Sequence, residues 1–445
     1  MKKLLLLFMI VAMVATTNAQ IFWTEMPTGF TAVSRGVNQI SYADADNVWI
    51  TVYDGVTVAN VIREFGVSTN NGTTWTPGVI NLGSTTLGIG CIAGVSATTA
   101  YVAAYPNTGG IGGVWKTTNS GTTWTKQSSA PFSAAASFAD VVYFWDADTG
   151  VVLGDPDSPT TFEVYTTTNG GTNWVRVPAA SIPVPLDGEY FYTRGFAANG
   201  NSIWLGTNKG RLFRSFDKGL TWTVSDNSSL IADFATANYA FQDNNNGLMI
   251  DDAWNFYRTS DCGATWISEV PTGFRNGAMC HVPGTVNTYV TLGNDLDLDL
   301  RGSSYTVDGG LTWTDINTLG DDTNCDNGSD VSFFDINHGL ASGFNASATV
   351  GGIFQYVTDG PLLATKSFSK NNLFSAYISN GSLNVIGKNI TNVTVYDVLG
   401  KQVIASNFAS TTNATLTTTN FNTGVYLVKV TDNAGNTSTI KVMNN

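Results

Sequence analysis

One octapeptide recurs six times in this chain of 445 residues: Ser or Thr, any residue, Asp or Asn, any, Gly, any, Thr or Asn, Trp. The copies run Ser68–Trp75, Thr117–Trp124, Thr167–Trp174, Ser215–Trp222, Thr259–Trp266 and Thr306–Trp313, and their Trp residues lie 49, 50, 48, 44 and 47 positions apart. A period near 45 residues is that of a four-stranded blade, and a chain so built closes into a ring of blades. The octapeptide is a hairpin turn. Asn70, Asn119, Asn169, Asp217, Asp261 and Asp308 each accept from backbone N–H groups about two residues on. Gly72, Gly121, Gly171, Gly219, Gly263 and Gly310 supply a positive φ. The Ser or Thr hydroxyl satisfies another turn group, and the Trp opens the next strand and packs between neighbouring sheets.

Six turns do not mean six blades. A seventh unit is divided between the two ends: Trp23 has the strand but no turn before it, and Asp359-Gly360 has the turn but no Trp after it. The first strand is therefore expected to complete the last blade. A second series counts the same way. Between the turns lie paired apolar strands, Ile40–Val52, Cys91–Ala104, Val141–Gly154, Gly195–Gly206, Tyr239–Ile250, Met279–Gly293 and Val331–Gly343. The expected fold is all-β, a seven-bladed β-propeller over residues 20–362.

The start of the chain reads as a signal peptide over residues 1–19: Lys2 and Lys3, an apolar stretch from Leu4 to Ala15, and small residues up to Ala19. No later apolar run reaches the ~20 residues of a transmembrane helix. Charged residues make up only 12%. Without Lys2 and Lys3 the net charge of −13 becomes −15; residues 371–445 hold four Lys against two Asp, so the part between carries −17. Such a domain does not bind nucleic acid. Export permits disulfides among Cys91, Cys262, Cys280 and Cys325, and three pairings are open.

The octapeptide resembles the Asp-box, or BNR repeat, of sialidases, sortilin-type receptors and some endoglucanases. Phe333-Phe334-Asp335 with Gly339, taken with Thr306 to Trp313, is most similar to photosystem II assembly-factor-like propellers. The resemblance implies the fold; in all these families the boxes are structural turns.

After a linker at 363–373 the strand pattern changes. Val393–Val403 and Phe421–Val430 alternate around a turn at Leu399-Gly400-Lys401, as in a small C-terminal β-sandwich over 374–445. Tyr396-Asp397-Val398-Leu399-Gly400-Lys401, Gly424–Val430 and Lys441 resemble the C-terminal sorting domain of the type IX secretion system of Bacteroidetes. Where that family usually has Pro-Asn-Pro, this chain has Tyr377-Ile378-Ser379-Asn380-Gly381. The resemblance implies that the secretion machinery is a partner. It also implies that the passenger ends at the outer-membrane surface or outside the cell, with the signal peptide and sorting domain removed.

In a propeller the octapeptide turns share one face with the turns inside each first strand pair. The other connections form the opposite face, where ligands are expected. Asp155, Asp157, Asp251, Asp252, Asp295, Asp297 and Asp299 fall in those connections, so negative charge is expected to concentrate there, with Trp254 as a stacking aromatic. Asp295, Asp297 and Asp299 alternate with Leu, which puts them on one side about 7 Å apart. They are either a Ca²⁺ or cationic-ligand site or a solvated loop with Leu turned inward. No catalytic residue is assigned. A sialidase would need an arginine cluster, and no Arg-Ile-Pro motif is present; Asp155 and Asp157 are the candidate acid and base of a glycoside hydrolase. The leading expectation is a non-enzymatic binding or scaffold propeller for a protein or glycan; the rival is a carbohydrate-active hydrolase.

Overall fold

The structure, a computed structural model, describes residues 22–357 apart from 252, 294–301 and 317–328. It also describes residues 374–444 apart from 380, 398–399, 420 and 434–436. The chain divides into two compact units, Met1–Ala364 and Thr365–Asn445. Residues 1–19, read from the sequence as a signal peptide, the Asp359-Gly360 turn, the 363–373 linker, Asp252, Asp295, Asp297, Asp299 and Cys325 lie outside the described residues.

The first unit is a ring of seven four-stranded antiparallel blades. Each blade begins with its innermost strand: Arg35–Tyr42, Leu87–Gly94, Ala139–Phe144, Phe191–Asn199, Ala237–Phe241, Ala278–His281 and Val331–Asp335. These strands neighbour one another all the way around, the seventh against the first. The ring closes as expected. Trp23–Pro27 pairs antiparallel with Val350–Tyr356, from Trp23 opposite Tyr356 to Pro27 opposite Gly352, and so supplies the outer strand of the seventh blade. The Trp23 indole N–H reaches the Ser303 hydroxyl of the sixth blade at 2.8 Å. Asn345 fixes the path into the first blade: its side chain accepts from the Arg35 N–H at 2.7 Å and donates to the Phe30 and Ala32 carbonyls.

The six repeated turns share one hydrogen-bond pattern. In the fifth blade the Thr259 hydroxyl donates to Asp261 Oδ1 at 2.8 Å and accepts the Gly263 N–H at 2.9 Å. Asp261 Oδ1 then accepts the Thr265 N–H at 2.9 Å. The acid thus bonds four residues on rather than two, because two successive residues take positive φ and curl the chain back. These are Asn71-Gly72, Ser120-Gly121, Gly170-Gly171, Lys218-Gly219, Cys262-Gly263 and Gly309-Gly310. The first of each pair also donates its N–H to the turn inside the first strand pair of its own blade, as Asn71 does to Asp46 at 2.8 Å and Lys218 to Asn201 at 3.0 Å. The two sets of turns are stapled together and define one face of the ring, the turn face.

The second of each pair faces the preceding blade. A Cβ on Gly72 would stand 2.7 Å from Leu340 of the seventh blade, one on Gly219 2.8 Å from Val151 of the third, and one on Gly310 2.6 Å from Phe256 of the fifth. The Trp that ends each turn seals the same seam. Trp124 packs edge-on against Trp49 and Phe65 of the first blade, with centroids at 6.3 and 5.8 Å, and Trp174 against Tyr101 of the second at 6.3 Å.

The disulfides that export would permit are not formed among the described cysteines: Cys91, Cys262 and Cys280 are free thiols. The fold explains why. Cys91 is buried on the inner strand of the second blade, Cys262 is the left-handed residue of the fifth-blade turn, and Cys280 lies on the inner strand of the sixth. A scheme with two bridges would need at least one between two of these three positions.

The second unit is one five-stranded sheet. Its long hairpin, Ser382–Asp397 with Gln402–Thr417, loses register between Ile386 and Asn392, where Asn389 and Ser410 take positive φ. Phe374–Ser379 extends the first half, and Gly424–Asp432 with Thr437–Asn444 extends the second. Leu383 and Val385 from one half share a core with Val393, Val395, Val428 and Val442 from the other. Where a sandwich was expected, the described strands form a single five-stranded sheet around one core, with its long hairpin bulged in the middle.

The turn chemistry sets a test. Burial pushes the Asp261 carboxyl up, but donation from Thr265 and Thr259 outweighs it and holds the group below its ordinary value. Its stabilisation is therefore complete above the unfolded value of about 3.9 and is lost as pH falls through the lower folded value. Asp261→Ala is expected to cost about 1–3 kcal/mol in urea melts at neutral pH. Asp261→Asn, which restores the chemistry of Asn70, Asn119 and Asn169, should cost under about 1 kcal/mol and flatten the acid limb. An Asn variant as unstable as the Ala variant would contradict the shared pattern.

Candidate functional site

The inner strands surround a cup of about 880 Å³ on the ring axis. All seven blades line it, mostly through the ends of their inner strands nearest the turn face, for example Tyr42 and Ala43, Val95, Trp145 to Ala147, Pro283 and Phe334. The cup thus reaches the turn face, and its lining also includes Phe234, Ala235, Ser329 and Asp330 at the opposite ends of the inner strands. The charge reading changes. Asp44, Asp146, Asp243 and Asp335 cap the turns of that same face, each accepting two backbone N–H groups at 2.7–3.0 Å. Together with Asp217, Asp261 and Asp308 they place acid on both faces.

The floor is a distortion of the fourth blade. Phe191 pairs with Thr207 and Phe196 with Leu205, so residues 192–195 stand opposite Gly206 alone. At the crest of this bulge Arg194 takes a φ of 63°. A left-handed conformation in a residue of this kind costs about 1–3 kcal/mol and persists only where its surroundings impose it. Three contacts do so. Tyr239 of the fifth blade accepts the Gly206 N–H and donates to the Gly195 carbonyl, both at 2.8 Å. The Tyr192 hydroxyl donates to Asp233 at 2.6 Å. The Phe191 N–H, at the root of the bulge, donates to Asp155 Oδ1 at 3.0 Å.

So held, the Arg194 guanidinium crosses the axis and donates to the Asn38 carbonyl of the first blade. Asp330 of the seventh blade holds the Ile40 N–H at 2.6 Å; burial raises its carboxyl to about 6, against the pull of that N–H and of the Arg194 charge. His281 is pushed down to about 4 by burial and is neutral at pH 7. Asp146, at the rim, is paired with Lys218 at 3.1 Å. Arg194 is thus the one cation among the described residues that line the cup.

The walls are aromatic and only partly covered. Tyr143 packs edge-on against Trp145 at 5.1 Å and against Phe196 at 5.6 Å, and Tyr42 lies 6.1 Å from Phe334. The Trp145 indole N–H is buried without a partner among the described residues. Partly exposed rings around a concave floor suit stacking and apolar contact with a bound molecule.

The residues singled out from the sequence lie elsewhere. Asp155 faces Asp140, not Asp157; burial raises the Asp155 carboxyl to about 7, and burial together with its neighbour's charge pushes that of Asp140 well above the ordinary carboxylate range. Asp157 makes a two-pronged ion pair with Arg176 at 2.7 and 2.9 Å. Asp251 caps its own hairpin, accepting from the Ala253 and Asn255 N–H groups at 3.0 and 2.8 Å. Trp254 is half-buried against Phe274 at 5.7 Å. None of these lines the cup. No group of three or more His, Cys, Asp or Glu that would hold a metal occurs among the described residues. The sequence reading missed Arg194. Its trace is an arginine before a glycine, in Tyr192-Thr193-Arg194-Gly195, inside an inner strand longer than most of its counterparts.

Residues 363–444 match a family model described as a domain of unknown function (DUF8694). Comparison with curated proteins finds no match. Among solved structures, the chain is similar to YCF48 bound to D1 peptide, with 16% identity over 76% of this chain and 97% of that one, and a TM-score of 0.54. YCF48 from Cyanidioschyzon merolae matches at 13% identity over 76% and 100% of the two chains, with a TM-score of 0.33. A GH74 enzyme from Niastella koreensis matches at 14% identity over 85% and 69%, with a TM-score of 0.28. At 16% identity the first likeness concerns the fold, which is that of a β-propeller. No helix among the described residues is long and apolar enough to cross a membrane.

The Asp155–Asp140 pair has a measurable consequence. A carboxyl whose folded value is raised binds its proton more tightly in the folded state, so its stabilisation is full below the unfolded value and is lost as pH rises. Between roughly pH 4 and pH 7 the wild-type chain should lose stability on this account. Asp155→Asn keeps an acceptor for Phe191 and removes the second acid. Urea melts across that window should show the variant gaining on wild type as pH rises, with the gain level above it. Parallel profiles would contradict the raised carboxyl.

Proposed function

We propose that this chain is an exported, non-enzymatic binding propeller whose ligand is a protein segment seated in the axial cup. The observation that carries this reading is the cup itself: about 880 Å³, walled by partly exposed aromatic rings and floored by a strained arginine. That shape accepts an extended peptide more readily than a flat rim would, and the peptide bound by YCF48 offers a precedent in a ring of similar fold. Among the described residues, the acids named for the hydrolase reading do not form its pair. Catalytic carboxylates stand about 5–10 Å apart across a cleft, whereas Asp155 is turned to Asp140 and Asp157 is held by Arg176. The repeated turns are read as Asp-boxes that build the ring and take no part in chemistry.

Export completes the proposal. Residues 1–19 act as the signal peptide, and residues 374–445 act as a type IX sorting domain recognised by the secretion machinery. That assignment rests on Tyr396 to Lys401, Gly424 to Val430 and Lys441, and it places the propeller at the outer-membrane surface or outside the cell. A Ca²⁺ site at Asp295, Asp297 and Asp299 remains part of the proposal, with calcium-dependent melting as its readout.

Two experiments test these readings. The full chain is screened against a peptide display library and a glycan array, alongside a panel of polysaccharide substrates. Peptide capture that falls at least about tenfold in Tyr143→Ala and Trp145→Ala supports the cup; turnover of any polysaccharide contradicts the non-enzymatic reading. In cells, deletion of residues 374–445 should leave a folded propeller in the periplasm, and truncated protein at the surface or in the medium would refute the sorting role.

A further inference from the structure

We propose that Arg194 is the receptor for a carboxylate, so that the cup takes a peptide by an acidic group, with the Tyr143, Trp145 and Phe196 rings against the adjoining apolar part. The inference rests on the reading of the cup as a peptide site and names the chemistry it selects.

Three observations carry it. The first is the construction of the floor. The fourth blade gives up regular pairing over residues 192–195, and side chains from three regions of the ring hold the distortion: Asp155, Tyr239, and Asp233 in the segment entering the fifth blade. The inner strands of the first three blades each bulge by a single residue, as between Val37 and Gln39, and Ala237–Phe241 pairs with Gly247–Asp251 without interruption; among the described residues only the fourth sets four residues opposite one. What the distortion achieves is to place one guanidinium on the ring axis.

The second is that this guanidinium is under-used. It has five N–H donors in a planar fork. Among the described residues its one hydrogen bond goes to the Asn38 carbonyl, and it forms no salt bridge. Asp330, the acid whose charge it senses, already holds the Ile40 N–H. A cation withdrawn from bulk water with donors to spare is poised for an oxyanion, and two parallel N–H groups match the spacing of a carboxylate.

The third is what surrounds it. Asp146 is neutralised by Lys218 and His281 is neutral, so no other cation among the described lining residues competes for an anion. The Tyr143 hydroxyl has no hydrogen-bond partner among the described residues, and its ring lines the cup. It offers a second donor within the same cup. The net charge of −13 turns away a multiply charged acidic ligand at long range, which favours a single carboxylate on an otherwise neutral or apolar segment.

The test uses the full chain and two small probes, phenylacetate and its neutral isostere phenylacetamide, read by thermal shift and calorimetry. Phenylacetate is expected to raise Tm saturably and phenylacetamide to do so at least about tenfold less effectively. Arg194→Gln should abolish the phenylacetate shift. Arg194→Lys, which keeps the charge and loses the fork, should weaken it by about tenfold, and it serves as the readout if the Gln variant fails to fold. Tyr143→Phe should weaken it less than Arg194→Lys does. Equal binding of the two probes, no binding of phenylacetate, or a shift unchanged in the Arg194 variants would each overturn the proposal. Peptides captured by the wild-type chain are then compared with C-terminally amidated forms and with forms whose Asp and Glu are replaced by Asn and Gln. Loss in the first set assigns the carboxylate to the chain end, and loss in the second to a side chain. Peptides that bind wild type and Arg194→Gln alike would remove the carboxylate receptor while leaving the peptide site standing. Phenylacetate binding without any peptide capture would do the reverse.

Discussion

The ring depends on a glycine with two duties. In each repeated turn the chain must take two positive φ values in succession, and the second residue must also lie flat against the preceding blade. Gly219 meets both demands: its φ is 84°, and any side chain there would strike Val151. The Ser215 hydroxyl fixes the curl by accepting the Gly219 N–H and donating to Asp217. Turn geometry and blade-to-blade distance are thereby one constraint, applied at six seams. The remaining seam, between the sixth and seventh blades, is closed differently, by Trp23 of the last blade, whose indole N–H reaches Ser303.

Much of this was legible in the sequence, because the constraint is local. A residue that must be glycine, an acid four residues before a threonine or asparagine that donates to it, and a tryptophan at the seam all leave fixed letters at fixed spacing. The count of seven blades followed from Trp23 for the same reason. The bent hairpin of the second unit was less legible. Alternation at Val393 and Val395 shows a strand, but the bulge at Asn389 in the middle of the long hairpin has no comparable signature.

The site was the least legible part. Asp155 and Asp157 are two residues apart and look like a pair. The shifted register after Gly154 sends one to Asp140 and the other to Arg176, and sequence spacing carries no information about partners on other strands. Asp251 looked like a surface acid and is a hairpin cap. Arg194 went unnoticed because its importance comes from a bulge, and a bulge is set by Tyr239, Asp233 and Asp155, which are distant in sequence. The cup, too, depends on contacts between blades: the bulge that floors it is held by side chains of the third and fifth blades, so its place on the axis leaves no local sequence signal. Asp155 is nonetheless tied to the site, since it holds the root of the bulge.

In the proposed reading the ligand enters the cup from the turn face, with the floor at Arg194 and the walls at Tyr143, Trp145 and Phe196. Hydrogen–deuterium exchange of the full chain with and without a captured peptide tests this most directly. Added protection should concentrate in residues 143–147 and 192–196, with little change in the connections of the opposite face, such as residues 55–63 and 183–190. Protection confined to those connections, with the cup unchanged, would contradict it.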